Sequence, residues 1–360
     1  MKKRKKIILI VSLSLLSAVV TYFAGGLIAT KVVSDKTINV RGSTIDSINE
    51  IGWNIQKNRN DYESLKDRTL VQFKYKKTNL QGYLYEVENP KGIVISAHGV
   101  NSFADSNHSH YQDYFVNKGW DVFSFDMIGC GRSEGKGMVS LAESRFCVEE
   151  AIKTVQNYKT TKDLPICLIG HSWGAYGVVV ASDKKDVKAV VSFAGFDQPA
   201  ETMYGFAEHF VSSAVILTKP ALDFSISILE GQKGFFCASN VIKNNKDIKY
   251  IVIHGDKDET VPLKKYSTYT HIENKGYENA QMLLLKGFTH SYLWNTQEAS
   301  DYIINKVYPK VELLKQKYNN KVPEEEIVAF NESIDKNKAS EVNTDLLNMI
   351  EEEFISSFDH

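Results

Sequence analysis

From Thr69 onward the apolar positions follow two rhythms. TLVQFKYKK (69–77) and LQGYLYEVE (80–88) alternate apolar with polar and are rich in aromatic and β-branched residues, which predicts an antiparallel strand pair. After Asn89-Pro90 the alternation gives way to short continuous apolar runs: GIVISAHG, DVFSFDMIG, ICLIGHS, KAVVSFAG and YIVIHGD. Helix-like stretches such as SRFCVEEAIKTVQNY separate them. Strands that are apolar throughout are buried on both faces, so the pattern predicts an α/β fold with a mostly parallel central sheet and helices on both sides.

Between Gly195 and Asp247 the alternation stops. Met203, Phe206, Phe210, Leu217, Phe224, Ile228 and Leu229 recur at helical spacing there. A connection of that length carries its own structure, so residues 196–247 are read as a helical cap inserted into the sheet. The strand pattern resumes at YIVIHGD and closes with QMLLLKG. The core domain is therefore placed at 69–310. It follows a polar connector at 32–68, expected to hold a helix from Thr44 to Lys66. A charged helical extension, 311–360, comes after it. In that tail Leu346, Leu347, Ile350, Phe354 and Phe358 fall on one helix face, which is expected to dock on the domain.

The N-terminus has a third pattern. Lys2, Lys3, Arg4, Lys5 and Lys6 precede an uncharged apolar run from Ile7 to Thr30. That run exceeds the apolar core of a cleaved signal peptide and is long enough to cross a bilayer. Residues 1–31 are read as a signal anchor, with cleavage near Ala24-Gly25-Gly26 and secretion as the alternative. The basic flank places the anchor's start in the cytoplasm and the 69–310 domain outside, at the cell membrane.

Composition narrows the picture further. The chain is 43% hydrophobic and 24% charged with a net charge of −1, and no basic stripe follows the N-terminus, so nothing points to nucleic acid. Cys130, Cys147, Cys167 and Cys237 show no metal-binding spacing. His108, His110 and Tyr111 form an H-x-H-Y cluster with no third ligand at suitable spacing, and are read as a surface loop. No metal or cofactor is expected.

The candidate chemistry lies in Gly170-His171-Ser172-Trp173-Gly174, a G-x-S-x-G spacing between an apolar strand and a helix-competent run. A serine on such a turn is exposed to substrate, and flanking glycines remove side chains that would collide. A nucleophilic serine needs a base, and the base needs a carboxylate to orient it. In this sheet order the acid and then the histidine follow, each in a loop after a strand. YIVIHGDKDETVP offers Asp256, Asp258 and Glu259, and QMLLLKGFTHSY offers His290. Two backbone N–H groups must face the developing oxyanion. Those expected are of Trp173, directly after the serine, and of Val100, after His98-Gly99. His98 is expected to shape its loop rather than react.

Residues 70–310 resemble the α/β-hydrolase superfamily, in the branch of monoglyceride lipases and serine-aminopeptidase-like hydrolases. The resemblance rests on His98-Gly99, on Asp126-Met127-Ile128-Gly129-Cys130-Gly131-Arg132-Ser133-Glu134-Gly135, on the serine turn, on His254-Gly255-Asp256-Lys257-Asp258 before Val261-Pro262, and on Gly287 to His290. It implies that the acid is Asp258, with Asp256 the runner-up and Asp197 third. It also implies a serine hydrolase that cleaves small-molecule carboxylic esters, or another acylated substrate, through an acyl-enzyme. Three departures stand out: Asn101 where relatives often have glycine, Cys130 where they often have histidine, and Ala175 in place of a common glycine.

A peptidase or amidase, or an acyltransferase, would use the same three residues. A binding protein on a hydrolase scaffold would have no need of all three. The cap aromatics Tyr204, Phe206, Phe210, Phe235 and Phe236 suit an acyl pocket or the cap's own core equally.

Overall fold

The computed structural model describes residues 2–37, 53–106, 108–137, 140–184, 186–211, 215–229 and 231–359. Eight strands form one sheet in the order β1-β2-β4-β3-β5-β6-β7-β8. They are β1 (Thr69–Tyr75), β2 (Thr78–Tyr85), β3 (Ile93–Ala97), β4 (Asp121–Phe125), β5 (Ile166–His171), β6 (Val187–Phe193), β7 (Lys249–Gly255) and β8 (Ala280–Leu285). β1 pairs antiparallel with β2, and β2 antiparallel with β4, while every other pairing is parallel. The alternating burial of β1 and the unbroken burial of β3, β4 and β5 match their two sequence rhythms.

The longer helices are α1 (Lys2–Thr37), α2 (Ser109–Asn117), α3 (Glu143–Asn157), α4 (Trp173–Val180), α5 (Pro199–Val211), α6 (Val215–Leu229) and α7 (Ala238–Asn244). They are followed by α8 (Gln297–Tyr302), α9 (Tyr308–Lys317), α10 (Glu324–Glu332) and α11 (Thr344–Ser356). One face of the sheet packs on α3 and α4 through Cys147, Val148, Ile152, Val178 and Val179 against Ile95, Leu168 and Val190. The opposite face packs on α2 and α11, with Tyr111, Phe115, Leu347, Ile350 and Phe354 over Val94, Ile169 and Val191. The tail helix thus closes a face that would otherwise be open. Its Glu351 accepts hydrogen bonds from Trp120 Nε1 at 3.0 Å and Lys91 Nζ at 2.8 Å.

The cap is inserted between β6 and β7 as α5, α6 and α7. α7 rejoins the body because Asp197 accepts from the Ser239 backbone N–H at 2.6 Å and from its hydroxyl at 3.0 Å.

Two local expectations fail. Of the helix expected over 44–66, residues 44–52 lie outside the described residues, and 53–66 hold only two 3-10 turns, Arg59–Asp61 and Glu63–Leu65. Asn58 and Asp61 exchange side-chain hydrogen bonds with the backbone of Asn60 and Asn58, and such local bonds compete with a continuous helix. The H-x-H-Y cluster is not a surface loop either. His108, His110 and Tyr111 are each 1% exposed or less at the start of α2, and His110 Nε2–H donates to the Lys57 carbonyl at 3.1 Å. Among the described residues no disulfide forms: Cys130, Cys147 and Cys167 are buried and Cys237 is half-buried.

Candidate active site

The turn between β5 and α4 forces Ser172 into a left-handed backbone conformation, φ 55° and ψ −113°. An L-residue tolerates that geometry only when its surroundings hold it there. Ser172 N–H donates to the Phe193 carbonyl at 2.8 Å, and the Ser172 carbonyl accepts from Tyr176 N–H at 3.1 Å. The flanking glycines are steric requirements. A Cβ at Gly170 would lie 2.4 Å from the Gly174 carbonyl, and a Cβ at Gly174 would lie 2.1 Å from the Ala97 carbonyl oxygen.

Folding brings Ser172, Asp258 and His290 together. His290 Nδ1 lies 2.7 Å from Asp258 Oδ2, and its Nε2 lies 2.8 Å from Ser172 Oγ. Because the carboxylate accepts, Nδ1 carries the proton, which leaves Nε2 to accept from the serine hydroxyl. Asp256 points elsewhere. Its Oδ1 accepts from Gly287 N–H at 2.7 Å, closing the loop that carries His290. Asp197 is engaged with Ser239 in the cap. Of the three aspartates considered, only Asp258 meets the histidine.

Asp258 is saturated with donors. Its Oδ1 accepts from the N–H groups of Thr260 at 2.9 Å and Val261 at 2.8 Å, and its Oδ2 also faces His254 Nε2 at 3.2 Å. Burial by itself would raise its pKa. The hydrogen bonds from His254 and His290 outweigh that and hold the carboxyl well below the ordinary carboxylate range. Sequence reasoning did not single out His254 as a partner of the acid, although it stands in the same His-Gly-x-x-Asp run.

The loop after β3 supplies the other wall. Gly99 stands against the serine, where an added Cβ would lie 3.4 Å from Ser172 Cβ. Asn101 takes φ 56°, the left-handed region where asparagine is the most tolerant residue after glycine, which accounts for its place in this loop. Among the described residues, neither the Val100 nor the Trp173 N–H has a hydrogen-bond acceptor. For Trp173 this follows from its position in the first turn of α4. The Trp173 side chain is fully buried, with Nε1–H donating to the Leu141 carbonyl at 2.7 Å.

His98 shapes that loop. Its Nε2 accepts from Met127 N–H at 2.9 Å, so Nδ1 carries the proton and donates to the Gly99 carbonyl at 2.7 Å. Burial pushes its pKa down to about 4, keeping the ring neutral. Asp126 anchors the same region. Its carboxylate accepts from Ala104 N–H, Arg132 N–H and Tyr83 O–H at 2.8, 2.9 and 2.7 Å. A Cβ on Gly131 would collide with that carboxylate at 2.2 Å, the physical reason for glycine there.

The second missed residue is His171. It is 8% exposed, and its Nε2 lies 2.9 Å from the His290 carbonyl oxygen, to which it donates. Burial, followed by the neighbouring His290, pushes its pKa down to about 3, so this donor is a neutral imidazole. Its ring packs against His108, His290 and Trp294 at centroid distances of 5.7, 5.0 and 5.4 Å. The signal in the sequence was a histidine directly before the serine, in a position whose side chain points back into the fold.

Of the cap aromatics, Tyr204 is buried in the main core, Phe235 packs at its edge and Phe236 is exposed; the side chains of Phe206 and Phe210 lie outside the described residues. Among the described residues no cluster of histidine, cysteine and carboxylate side chains suits a metal ion. A groove of 770 Å³ lined by Lys57, His110, Asp113, Lys118 and Glu341, among others, runs between α2 and the C-terminal segment and contains none of the residues gathered at Ser172.

An eight-stranded, mostly parallel sheet with helices on both faces, an inserted cap and a serine on the β5–α4 turn is the α/β-hydrolase fold. Comparison with known proteins agrees. Residues 88–226 match the family model described as serine aminopeptidase, S33. Monoglyceride lipase of Mus musculus is 33% identical over 100 residues, covering 26% of this chain and 31% of the relative, so this chain spans about a third of that protein's length. Among solved structures, the esterase Pf2001 of Pyrococcus furiosus aligns with a TM-score of 0.50 at 20% identity, over 69% of this chain and 92% of that one. The sheet topology and the structural likeness give the chain the α/β-hydrolase fold, and its sequence likeness to the S33 model and to monoglyceride lipase lies within that fold.

Proposed function

We propose that the protein is a serine hydrolase that cleaves carboxylic esters of small or acylated molecules through an acyl-enzyme, with Ser172 as nucleophile, His290 as base and Asp258 as orienting acid. The observation that carries this reading is the continuous line of hydrogen bonds from Asp258 Oδ2 through His290 to Ser172 Oγ, at 2.7 and 2.8 Å, on a serine held at φ 55°.

In this mechanism Ser172 Oγ forms a bond to the ester carbonyl carbon while its proton passes to His290 Nε2. The imidazolium is stabilised by the Asp258 carboxylate through Nδ1–H. The N–H groups of Val100 and Trp173, which have no acceptor among the described residues, receive the oxyanion. The carbon–oxygen bond to the alcohol then breaks, and His290 gives its proton to that oxygen. Water repeats the sequence on the acyl-enzyme: His290 takes a proton from the water as it attacks, and returns one to Ser172 Oγ as the acid departs. Each cycle consumes one ester and one water and leaves the enzyme unchanged.

A membrane location is supported by α1, whose stretch Ile10–Val32 is long and apolar enough to cross a bilayer. The basic residues before it favour a cytoplasmic start and an outward catalytic domain. Secretion after cleavage is the alternative.

The test is labelling by a fluorophosphonate probe, which requires an activated serine. The intact protein should label, and Ser172→Ala should not while keeping its thermal transition. Persistent labelling of that variant would overturn the assignment. A panel of nitrophenyl esters beside aminoacyl arylamides then separates ester from amide cleavage, and arylamide turnover above that of every ester would make the protein a peptidase.

A further inference from the structure

The cap is fastened to the N-terminal helix. α6 lies against α1 so closely that a Cβ on Gly26 would stand 2.5 Å from the Ala221 Cβ. One turn away the Phe23 and Phe224 rings meet edge to face at a centroid distance of 5.0 Å. Phe23, Gly26, Leu27 and Thr30 form the covered stripe of α1 at i, i+3, i+4 and i+7 spacing. Elsewhere on α1 described apolar side chains are bare, with Leu13, Leu15, Leu16 and Val20 all more than half exposed.

Depth follows from helix geometry. About twenty residues at about 1.5 Å each cover a hydrocarbon core of about 30 Å. Counted from Ile7, directly after the basic cluster, that length ends near Gly26. Gly26 and Ala221 then sit at the outer edge of the hydrocarbon, with Phe23 and Phe224 just inside it. Interfacial helices lie at that depth, with the apolar face about 5–10 Å into the boundary. The flank of α6 beside the Gly26 contact is apolar and exposed: Phe224 is 43% and Ile228 59% exposed, at i, i+4 spacing. Lys219 and Asp223, 3.8 Å apart, lie on the other flank. The cap also joins the sheet at the reactive edge, since its chain leaves after Phe193, whose carbonyl accepts the Ser172 N–H, and returns through β7 toward Asp258.

We propose that α1 and α6 form one membrane-seated unit, in which the cap helix lies in the outer headgroup–acyl boundary of the bilayer that α1 crosses, with Phe224 and Ile228 facing lipid. The partner of this surface is the bilayer itself, and acyl esters residing in it meet the cap before they meet water. The inference rests on the reading of the chain as a membrane-anchored hydrolase acting through Ser172.

The test uses the full chain in phosphatidylcholine vesicles, with Cys237→Ser removing the half-exposed thiol. Single nitroxide labels are placed at Leu16→Cys, Ile228→Cys and Val328→Cys, and their collisions with oxygen and with an aqueous nickel chelate are measured. Labels at 16 and 228 should collide with oxygen and be shielded from nickel, while the label at 328 should show the reverse. Adding Gly26→Leu should raise nickel collisions at 228 several-fold and leave those at 16 unchanged, with fluorophosphonate labelling of Ser172 retained. A label at 228 as open to nickel as that at 328 would overturn the proposal, as would a label at 16 outside lipid or indifference of 228 to Gly26→Leu. If 228 is in lipid and responds to Gly26→Leu while the intact protein takes up no fluorophosphonate, the membrane seating stands and the hydrolase reading fails instead.

Discussion

His171 Nε2–H donates to the main-chain carbonyl of His290 across 2.9 Å, so the residue next to Ser172 also holds the backbone of the histidine that Ser172 meets. The link spans 119 positions of sequence and is made by a neutral, buried ring packed against Trp294 and His108. It gives the β8–α8 loop a fixed point within one residue of Ser172.

Loss of that fixed point should appear in turnover. His171→Ala is expected to lower kcat for a nitrophenyl ester by up to about 100-fold, because small misplacements of a reacting group carry costs of that order. KM should stay close to its original value, since His171 positions His290 and does not touch substrate. His171→Gln keeps an N–H donor of similar reach and should recover part of the loss. An alanine variant with unchanged kcat would show that His290 needs no such tether.

Asp256 and Asp258 stand two positions apart, yet their substitution should separate cleanly. Asp258→Asn removes the charge that stabilises a protonated His290 and should cut kcat by a factor on the order of 10⁴. Asp256→Asn weakens only the bond to Gly287 N–H and should leave kcat near its starting value. Steady-state kinetics on the two purified variants checks this, and equal losses would contradict the division of labour.

Four buried histidines should make the fold sensitive to acid. Burial lowers the pKa of His98 and His110 from 6.5 to about 4 and of His171 to about 3, and places His108 well below 6.5. Their folded pKa values lie below the unfolded ones, so the unfolded chain binds more protons as pH falls through 6.5. The stability they contribute is fully present above that pH and is lost progressively toward pH 4, at about 1.4 kcal/mol per pH unit for each proton. Asp121, raised by burial to about 6, acts in the opposite sense, so the clearest readout is a difference. Between pH 6.5 and 4, denaturant unfolding of His110→Gln should lose about 3 kcal/mol less than the unaltered protein. Parallel pH curves for the two proteins would refute the account.

The C-terminal helix should be part of the folding unit. Phe354 is fully buried, with its ring 5.7 Å from those of both Phe115 and Trp120. Phe354→Ala is expected to cost about 3–5 kcal/mol in chemical denaturation, the usual range for a buried phenylalanine. A loss below about 1 kcal/mol would mean that the tail is an appendage.

Much of this was legible along the chain because its causes are local. Strand rhythm, the G-x-S-x-G turn and the order serine, acid, histidine are all set by residues within a few positions of one another. The choice between Asp256 and Asp258 was open from spacing alone, because both follow β7 within three residues; only the resemblance favoured Asp258. In the fold, the Asp256 side chain bonds the Gly287 backbone and Asp258 faces His290. The H-x-H-Y cluster was read as a surface loop because no third ligand stood at suitable spacing, whereas α2 carries it under the connector at Lys57. A helix was likewise expected in the polar connector, and local bonds at Asn58 and Asp61 gave turns instead.

By itself the sequence determined the sheet, the inserted cap and which serine sits on a sharp turn, since apolar period and glycine placement act over one element at a time. Tertiary structure decided what those elements meet: His171 with the His290 backbone, His254 with Asp258, α11 with the open sheet face and α1 with the cap. Each of these contacts joins segments distant in sequence or turned toward each other only by a loop. Their energies come from packing and burial, which no single stretch of residues encodes.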